Sequence, residues 1–193
     1  MKVRIDFTEP LLGTLSGNQE IAKEFIVSKH PDGPQEDELH AELPEGDVEK
    51  SSTVFPRKDG SPFLWDYQIK GFFKDACSML RRIKDTRSSK LTAYKKVIDG
   101  LIFVGPRQIP LNVAGELEWC ERPLRGQTAK GERIALARSE SAPAGSFIII
   151  DITCLDQKLE KLVKEWLDYG ALRGLGQWRN SGKGRLSWQL VEK

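Results

Sequence analysis

Apolar residues recur along the chain with two different periods, and these periods predict its main elements. Apolar and charged residues alternate over 2–8, which predicts a strand with one buried face. Helical spacing of apolar residues over 67–83 and over 155–169 predicts two amphipathic helices. Gly170 is expected to end the second helix, because glycine often closes a helix in the left-handed conformation.

Further strands are predicted where short apolar or alternating runs lie between turn residues. They cover 98–104, 116–122, 133–138, 146–152 and 186–191, whereas 21–28 fits either a strand or a short helix. The order is then a strand, an insertion, a helix, several strands, a helix, a glycine-rich loop and a strand. This order predicts an α+β fold with a ferredoxin-like (RRM-like) βαββαβ core, insertions and a C-terminal glycine-rich loop.

The length of 193 residues is that of one domain, 1–193, with room for insertions. An acidic, flexible insertion is predicted at 29–60, because 31–49 is rich in acidic residues, Pro and Gly and has no Lys or Arg. A second insertion is predicted at 105–145. No apolar run approaches the ~18 residues needed to cross a bilayer, so no membrane contact is expected.

The cysteines favour an intracellular, reduced protein. Cys77, Cys120 and Cys154 are odd in number and far apart in apolar settings, which indicates free thiols and neither a disulfide set nor a metal site. We therefore expect a cytoplasmic location, no metal and no cofactor.

The net charge of +2 conceals a strong segregation of charge. Seven cations and one Asp lie in 81–96, and the C-terminal region adds Arg173, Arg179, Lys183 and Arg185. Segregated basic segments favour nucleic-acid binding. A solvated helix end and loop would give the same composition at 81–96, and charge alone does not separate the two interpretations.

The segment 174–184 reads G-x-G, five residues, G-x-G. Glycines allow close approach by a partner's backbone, Lys183 and Arg185 attract anions, and Trp178 offers a face for stacking. The segment follows a helix and precedes a strand, which is the reverse of the P-loop and Rossmann order, so a nucleotide site is not expected. The alternative is a flexible connection, for which a tryptophan would be wasteful.

A second candidate site lies at the start of the first long helix. Gln68, Lys70 and Lys74 are near the helix N-terminus, where free N–H groups favour a phosphate. Gly71 lowers helix stability by about 1 kcal/mol relative to Ala, which suggests close approach by another backbone. The alternative is an ordinary amphipathic helix whose lysines face water.

Together these segments resemble the RAMP superfamily, the ferredoxin-like subunits of CRISPR effector complexes, and above all the backbone subunits that coat guide RNA. The glycine motif matches the glycine-rich loop of that family, between its last helix and last strand. The segment Ile69-Lys70-Gly71 resembles the family's I-K-G helix, and 8–13 (Thr-Glu-Pro-Leu-Leu-Gly) resembles its first turn. The family has a small-residue run where this chain has 65–68 (Trp-Asp-Tyr-Gln), which indicates a divergent or virus-borne relative.

The resemblance implies binding of single-stranded guide RNA through its phosphates, with copies stacked into a multimer or joined to a ribonucleoprotein complex. The candidate RNA-binding residues are Gln68, Lys70, Lys74, Arg81, Arg82, Gly174, Gly176, Trp178, Arg179, Gly182, Lys183, Gly184 and Arg185. Trp178 and Trp65 are the candidates for an exposed tryptophan, and for each of them base stacking and core packing both stay open, whereas the tryptophans at 119, 166 and 188 are expected in the core.

Two other functions stay open. The first is a non-catalytic structural relative that assembles with itself or docks on a CRISPR complex. The second is a stand-alone endoribonuclease using His30 or His40, although an acidic surround would repel RNA. The aspartates at 32, 37 and 47 match no metal motif of the family, and no catalytic residue is assigned.

Overall fold

The computed structural model describes residues 1–28, 52–128 and 131–191 of the chain, which form a mixed α+β fold. The helices are α1 (Gln19–Ser28), α2 (Asp66–Leu80), α3 (Tyr94–Leu101) and α4 (Lys158–Arg173), with 3₁₀ turns at Ser88–Lys90 and Arg179–Ser181. The strands are β1 (Lys2–Phe7), β2 (Leu11–Leu12), β3 (Leu15–Ser16), β4 (Thr53–Val54), β5 (Arg57–Lys58), β6 (Ser61–Trp65), β7 (Ile102–Gly105), β8 (Gln108–Pro110), β9 (Glu118–Thr128), β10 (Gly131–Ala142), β11 (Phe147–Cys154) and β12 (Leu186–Leu190). No helix of these described ranges is long and apolar enough to cross a membrane.

The central sheet has four antiparallel strands in the order β12-β1-β11-β7. The strand β1 lies between two partners, since Val3 pairs with Ile150 on one side and with Leu190 on the other. Alternate residues of these strands are buried in one continuous core with the apolar faces of α2 and α4. The alternation predicted for 2–8 is therefore confirmed, and it holds the two long helices against one face of the sheet.

The remaining strands form two smaller sheets around this core. One has the order β2-β10-β4-β3 with β9 added on β10, and the other has the order β5-β6-β8. Strands β9 and β10 form a long hairpin whose pairing runs from Gly131 with Thr128 to Ser141 with Glu118. The segment 105–145, assigned to a second insertion, thus contains β8 and this hairpin.

A buried ion pair joins the two smaller sheets. The guanidinium of Arg57 on β5 contacts the carboxylate of Glu140 on β10, and both side chains are largely buried. The Phe55 N–H also donates to Glu140 Oε2, at 2.9 Å. This carboxylate therefore fixes a strand and a connecting segment that the sequence leaves unassigned.

Several boundaries differ from those predicted. Residues 98–101 belong to α3, because the apolar run that suggested a strand begins inside a helix and continues into β7. The helix α4 runs past Gly170 and ends at Gly174, whose φ is 78°. A Cβ at Gly170 would lie 2.7 Å from Leu186 Cδ1, so this glycine brings α4 close to β12. The segment 21–28 is helical, and 29–51 lies outside the described residues.

The tryptophan predictions hold only in part. Trp166 is fully buried and Trp178 is 38% exposed, as expected. Trp119, expected in the core, is 41% exposed on the β9–β10 hairpin, whereas Trp65, a candidate for an exposed tryptophan, is buried at the start of α2. Trp119 lies opposite Glu140 near the base of this hairpin, where the Arg138 guanidinium carbon lies 4.3 Å from the centre of its ring.

Candidate nucleic-acid interface

A groove of about 300 Å³ runs between α2 and the segment that follows α4. Its walls are apolar, and its rim carries Thr14, Gln68, Asp75 and Arg179. Two glycines, Gly71 on α2 and Gly176 in the glycine-rich segment, also line it. The groove therefore brings together the two segments that the sequence singled out.

Gly71 lies exposed at this groove, and beyond its chain neighbours and the nearby backbone of α2, no described atom lies within 4 Å of the position that a Cβ would occupy. The close approach by another backbone that was expected at Gly71 therefore does not come from the described part of this chain. The glycine leaves open space along α2, and that space faces the groove.

The glycine-rich segment, residues 174–184, closes on itself. All four of its glycines have positive φ, between 70° and 84°. The Leu175 N–H donates to the Gly184 carbonyl at 2.8 Å, and the Gly184 N–H donates to the Pro10 carbonyl at 2.9 Å. A Cβ at Gly174 would lie 2.5 Å from the Lys183 carbonyl oxygen, and one at Gly184 would lie 1.9 Å from that of Leu175. Gly174 and Gly184 are therefore explained by packing within the chain.

The residues between the two glycine pairs point in different directions. Gln177 Nε2 donates to Thr53 Oγ1 at 2.7 Å and to Ser139 Oγ at 3.1 Å, which joins the segment to the second sheet. Arg179 Nη1 donates to Asp75 Oδ2 on α2 at 2.6 Å. The segment is thus fixed on both sides. Gln177 was not recognised from the sequence, because a glutamine among glycines and cations carries no sign of its partners.

The amide groups at the start of α2 are used within the chain. Gln68 Oε1 accepts from the Trp65 N–H at 2.7 Å, and Gln68 Nε2 donates to Thr14 Oγ1 at 2.7 Å. The Asp66 N–H donates to the Arg107 carbonyl at 3.0 Å, and the Tyr67 N–H to Asp66 Oδ1 at 2.8 Å. The N–H groups of Trp65, Asp66 and Tyr67 are thus used within the chain, which leaves fewer of them for a phosphate than expected. Asp66 also places a carboxylate at the helix start.

The two lysines of α2 lie on the side of the helix that faces α3. Lys74 Nζ is 2.6 Å from Asp99 Oδ1. Lys70 Nζ lies 3.4 Å from the Asp99 carbonyl oxygen and 5.1 Å from the centre of the Phe103 ring. The structure therefore does not place these lysines in the groove, although both share α2 with it.

The basic segment 81–96 is held firmly to α4. Glu165 on α4 accepts from the Arg87 N–H at 2.8 Å and from the Ser88 N–H at 3.0 Å. Arg81 and Arg82 are exposed at the end of α2, and the Arg81 guanidinium lies 5.0 Å from the centre of the Tyr94 ring. The cations of this segment thus sit on an ordered turn.

Two further cations lie at the end of the glycine-rich segment and directly after it. Arg185 is exposed and Lys183 is half-buried. Arg173 Nε and Arg179 Nη1 both contact Asp75 Oδ2, at 3.2 Å and 2.6 Å. Two guanidinium groups thus face one carboxylate at the groove rim, which leaves the rim positively charged.

No protein-family model matches this sequence, and no curated protein matches it. Solved structures do match. A chain of the Type III-B Cmr-beta structure bound to cognate target RNA aligns with a TM-score of 0.52 and 12% identity, over 99% of this chain and 58% of that one. The fold is that of the RAMP-type CRISPR subunits. The resemblance read from the sequence is confirmed at this level, and the chain spans little more than half of that neighbour.

Two other solved structures have lower scores. Cmr6 from Pyrococcus furiosus has a TM-score of 0.47 at 10% identity, over 98% of this chain and 97% of Cmr6. A chain of a Type IV-B CRISPR complex has a TM-score of 0.48 at 10% identity, over 100% of this chain and 90% of that one. All three identities are low, at 10–12%.

The residues considered for catalysis lie mostly outside the part of the chain that the structure describes. His30, His40 and the aspartates at 32, 37 and 47 lie outside the described residues. Within the described ranges, no cluster of three His, Cys, Asp or Glu side chains could hold a metal ion. Burial raises the pKa of the Cys77 thiol and of the Cys154 thiol, so both stay protonated at neutral pH and are poor nucleophiles.

Proposed function

We propose that the chain is a subunit of an RNA–protein complex that binds single-stranded, guide-type RNA through phosphate contacts and stacks into a multimer. The observation that carries this proposal is the groove between α2 and the glycine-rich segment, with Gly71 open on its wall. This function is the one that the RAMP-type resemblance of the sequence implies. The expected location of the protein is the cytoplasm.

Gly71 indicates contact with another molecule, because no contact within the described residues explains a glycine at this position. A glycine inside a helix lowers stability by about 1 kcal/mol relative to alanine, so its presence calls for a compensating role. Gly170 has such a role within the chain, because a Cβ there would clash with Leu186. Gly71 has none among the described residues, and it faces a groove with a cationic rim. A chain of RNA lying along α2 would use the space that a side chain would fill.

The candidate cations would supply the phosphate contacts. Arg179 lines the groove, Lys183 and Arg185 lie at the end of the glycine-rich segment and directly after it, and Arg81 and Arg82 lie at the end of α2. Lys70 and Lys74 would contribute along the α3 side of that helix. The contacts of Gly174 and Gly184 with the chain itself make these two glycines structural supports of the proposed surface. Gly182 is the glycine of this segment with room for RNA, since its Cβ position meets only the Arg185 side chain at 3.7 Å, whereas at Gly176 a Cβ would lie 3.2 Å from Leu11 Cδ1.

The proposed core is ferredoxin-like. In that fold two βαβ halves give a four-stranded antiparallel sheet whose last strand lies beside the first. The order β12-β1-β11-β7, with α2 between β1 and β7 and α4 between β11 and β12, supports this assignment. The segments 29–60 and 105–145 are then insertions into a single domain.

The variant Gly71→Ala tests the proposed groove. Alanine removes the conformational penalty of glycine, so we expect the free energy of unfolding to rise by about 0.5–1 kcal/mol. The new methyl group would enter the space proposed for RNA, so the affinity for a single-stranded RNA oligomer should fall. Urea unfolding and fluorescence anisotropy with labelled RNA measure the two quantities.

Gly100→Ala is the matched control, since Gly100 is also helical and exposed with nothing within 4 Å of a Cβ. Its stability should rise similarly while its RNA affinity stays unchanged. If Gly71→Ala and Gly100→Ala bind RNA with equal affinity, the groove is not the RNA site.

Affinity for RNA is expected to fall steeply with salt, because phosphate contacts release counterions. In the double variant Lys183→Gln/Arg185→Gln, the slope of log affinity against log salt should shrink by about 1.4, at about 0.7 for each lost contact with a single strand. Titrations between low and moderate salt measure this slope. An affinity of the unmodified protein that does not change with salt would contradict phosphate binding.

A protein-interaction role is the second candidate, and the β9–β10 hairpin favours it. Leu124, Ile134 and Leu136 are each about half exposed or more on this hairpin, with Ile134 at 65%. A two-stranded ribbon with exposed apolar residues is marginally stable in water, so contact with a partner would stabilise it.

The ultraviolet absorbance ratio and the mass of the purified particle separate the two functions. RNA in a multimer supports the first, and an RNA-free particle that binds a CRISPR complex supports the second.

A further inference from the structure

We infer that Trp178 is a stacking platform for an unpaired nucleobase, and that Arg122 of the β9–β10 hairpin positions its ring. This inference rests on the proposed RNA-binding function and adds a base contact to a surface otherwise argued from phosphates. Arg122 was not among the residues that the sequence indicated.

The backbone of Trp178 is in a conformation that its side chain disfavours. Its φ is 54° and its ψ is 33°, in the left-handed region. For a bulky residue this conformation costs roughly 1–2 kcal/mol, and glycine or asparagine would occupy it more easily. The ring is nevertheless 38% exposed, so burial in the core does not account for its presence. Such strain at an exposed aromatic residue indicates a function for the ring.

Arg122 lies behind the ring as a buried cation. The side chain is 9% exposed, and its guanidinium carbon is 5.0 Å from the centre of the Trp178 ring. Nη2 donates to Gln177 Oε1 at 2.9 Å, whereas Nε and Nη1 are buried and have no hydrogen-bond partner in the described part of the chain. Leaving such N–H groups unsatisfied destabilises the protein. Within the described residues, the ring face offers this cation a further favourable contact.

The geometry favours a nucleobase as the ligand of the ring. The Arg122 guanidinium lies over one face of the Trp178 ring. The exposed part of the ring is then available to stack with a flat partner. The neighbouring Arg179 and the nearby Lys183 and Arg185 supply positive charge for the phosphates on either side of that nucleotide. Aromatic rings set among cations bind single strands with little sequence preference, because every base has a face that can stack.

The test compares two RNA-like probes on two proteins. Oligouridylate and an abasic ribose-phosphate oligomer of equal length carry the same charge and differ only in their bases. The unmodified protein should bind oligouridylate about 5- to 150-fold more tightly, which corresponds to one stacked base. Trp178→Gly removes the ring and suits the left-handed backbone, so the variant should fold. Its preference for oligouridylate should fall at least about fivefold, while its affinity for the abasic oligomer stays the same.

Arg122→Met separates positioning from direct phosphate contact. If Arg122 acts through the ring, this variant should lose preference for oligouridylate while keeping the salt dependence and the abasic affinity of the unmodified protein. Equal loss for both probes, with a smaller salt slope, would make Arg122 a phosphate ligand and overturn its positioning role.

Two further outcomes are distinct. If RNA binds but the probe preference is unchanged in Trp178→Gly, the stacking platform is rejected and the proposed function survives. If Trp178→Gly weakens self-association and leaves the probe preference unchanged, the stacking platform is likewise rejected and the proposed function survives. If the unmodified protein binds neither probe, the proposed function itself fails.

Discussion

Replacing Gly184 by alanine is expected to lower the free energy of unfolding by about 3 kcal/mol or more, because a steric clash adds to backbone strain. The added Cβ would lie 1.9 Å from the Leu175 carbonyl oxygen, a distance that no rotamer change can relieve. The φ of 70° at Gly184 is also costly for alanine. Relief requires the two halves of the glycine-rich segment to separate. That movement breaks the hydrogen bonds that Gly184 makes with Leu175 and Pro10.

Gly182→Ala is the matched control for this prediction. Gly182 has a φ of 84°, but the nearest atom to its Cβ position is 3.7 Å away, on the Arg185 side chain. We expect a loss of only about 1 kcal/mol, from backbone strain alone. Urea unfolding of both variants, followed by circular dichroism, measures the difference. Equal losses would show that the close packing between Leu175 and Gly184 does not determine stability.

Replacing Glu140 by alanine is expected to cost about 3–5 kcal/mol of stability, because it leaves the buried guanidinium of Arg57 without its carboxylate. Both side chains are largely buried, so water does not replace the lost contact. The variant also removes the acceptor of the Phe55 N–H. An N–H group that is buried without a partner adds to the cost.

The control for Glu140 is a carboxylate on the same hairpin that faces water. Glu121 lies 3.4 Å from Arg138 Nε, and its side chain is 53% exposed. Exposed ion pairs contribute about 0–1 kcal/mol, so Glu121→Ala should change stability little. Thermal unfolding of both variants provides the comparison. A loss for Glu140→Ala as small as that for Glu121→Ala would mean that the Arg57–Glu140 pair is not stabilising.

The sequence predicts best where periodicity is long and residues are buried. The helices α2 and α4 and the strands β1, β11 and β12 follow from apolar spacing, because their side chains pack into one core. Prediction failed where packing in three dimensions overrides a local signal. Gly170 looks like a helix end, yet it sits inside α4 because β12 lies against it.

The sequence identified the two segments that line the groove, but it did not predict the contacts that their residues make. Spacing and composition identified α2 and the glycine-rich segment, and both line one groove. The contacts of Gln68 with Thr14 and of the Asp66 N–H with the Arg107 carbonyl join residues that are distant in sequence. The contact of Arg122 with Trp178 likewise joins residues from separate elements. Pairings of this kind leave no local pattern.

The position of β1 between β11 and β12 has a consequence for how the protein folds. Lys2 pairs with Asp151 and Val3 pairs with Leu190, so both edges of β1 are satisfied only by residues made much later in translation. Closing such long loops costs entropy before any sheet contact stabilises them, and folding of topologies with distant contacts is slow. While the ribosome is still adding β12, β1 has an open edge and unburied Val3, Ile5 and Phe7. Completion of the central sheet is therefore expected only after the residues near 190 have emerged, and a nascent chain at that stage is exposed to aggregation.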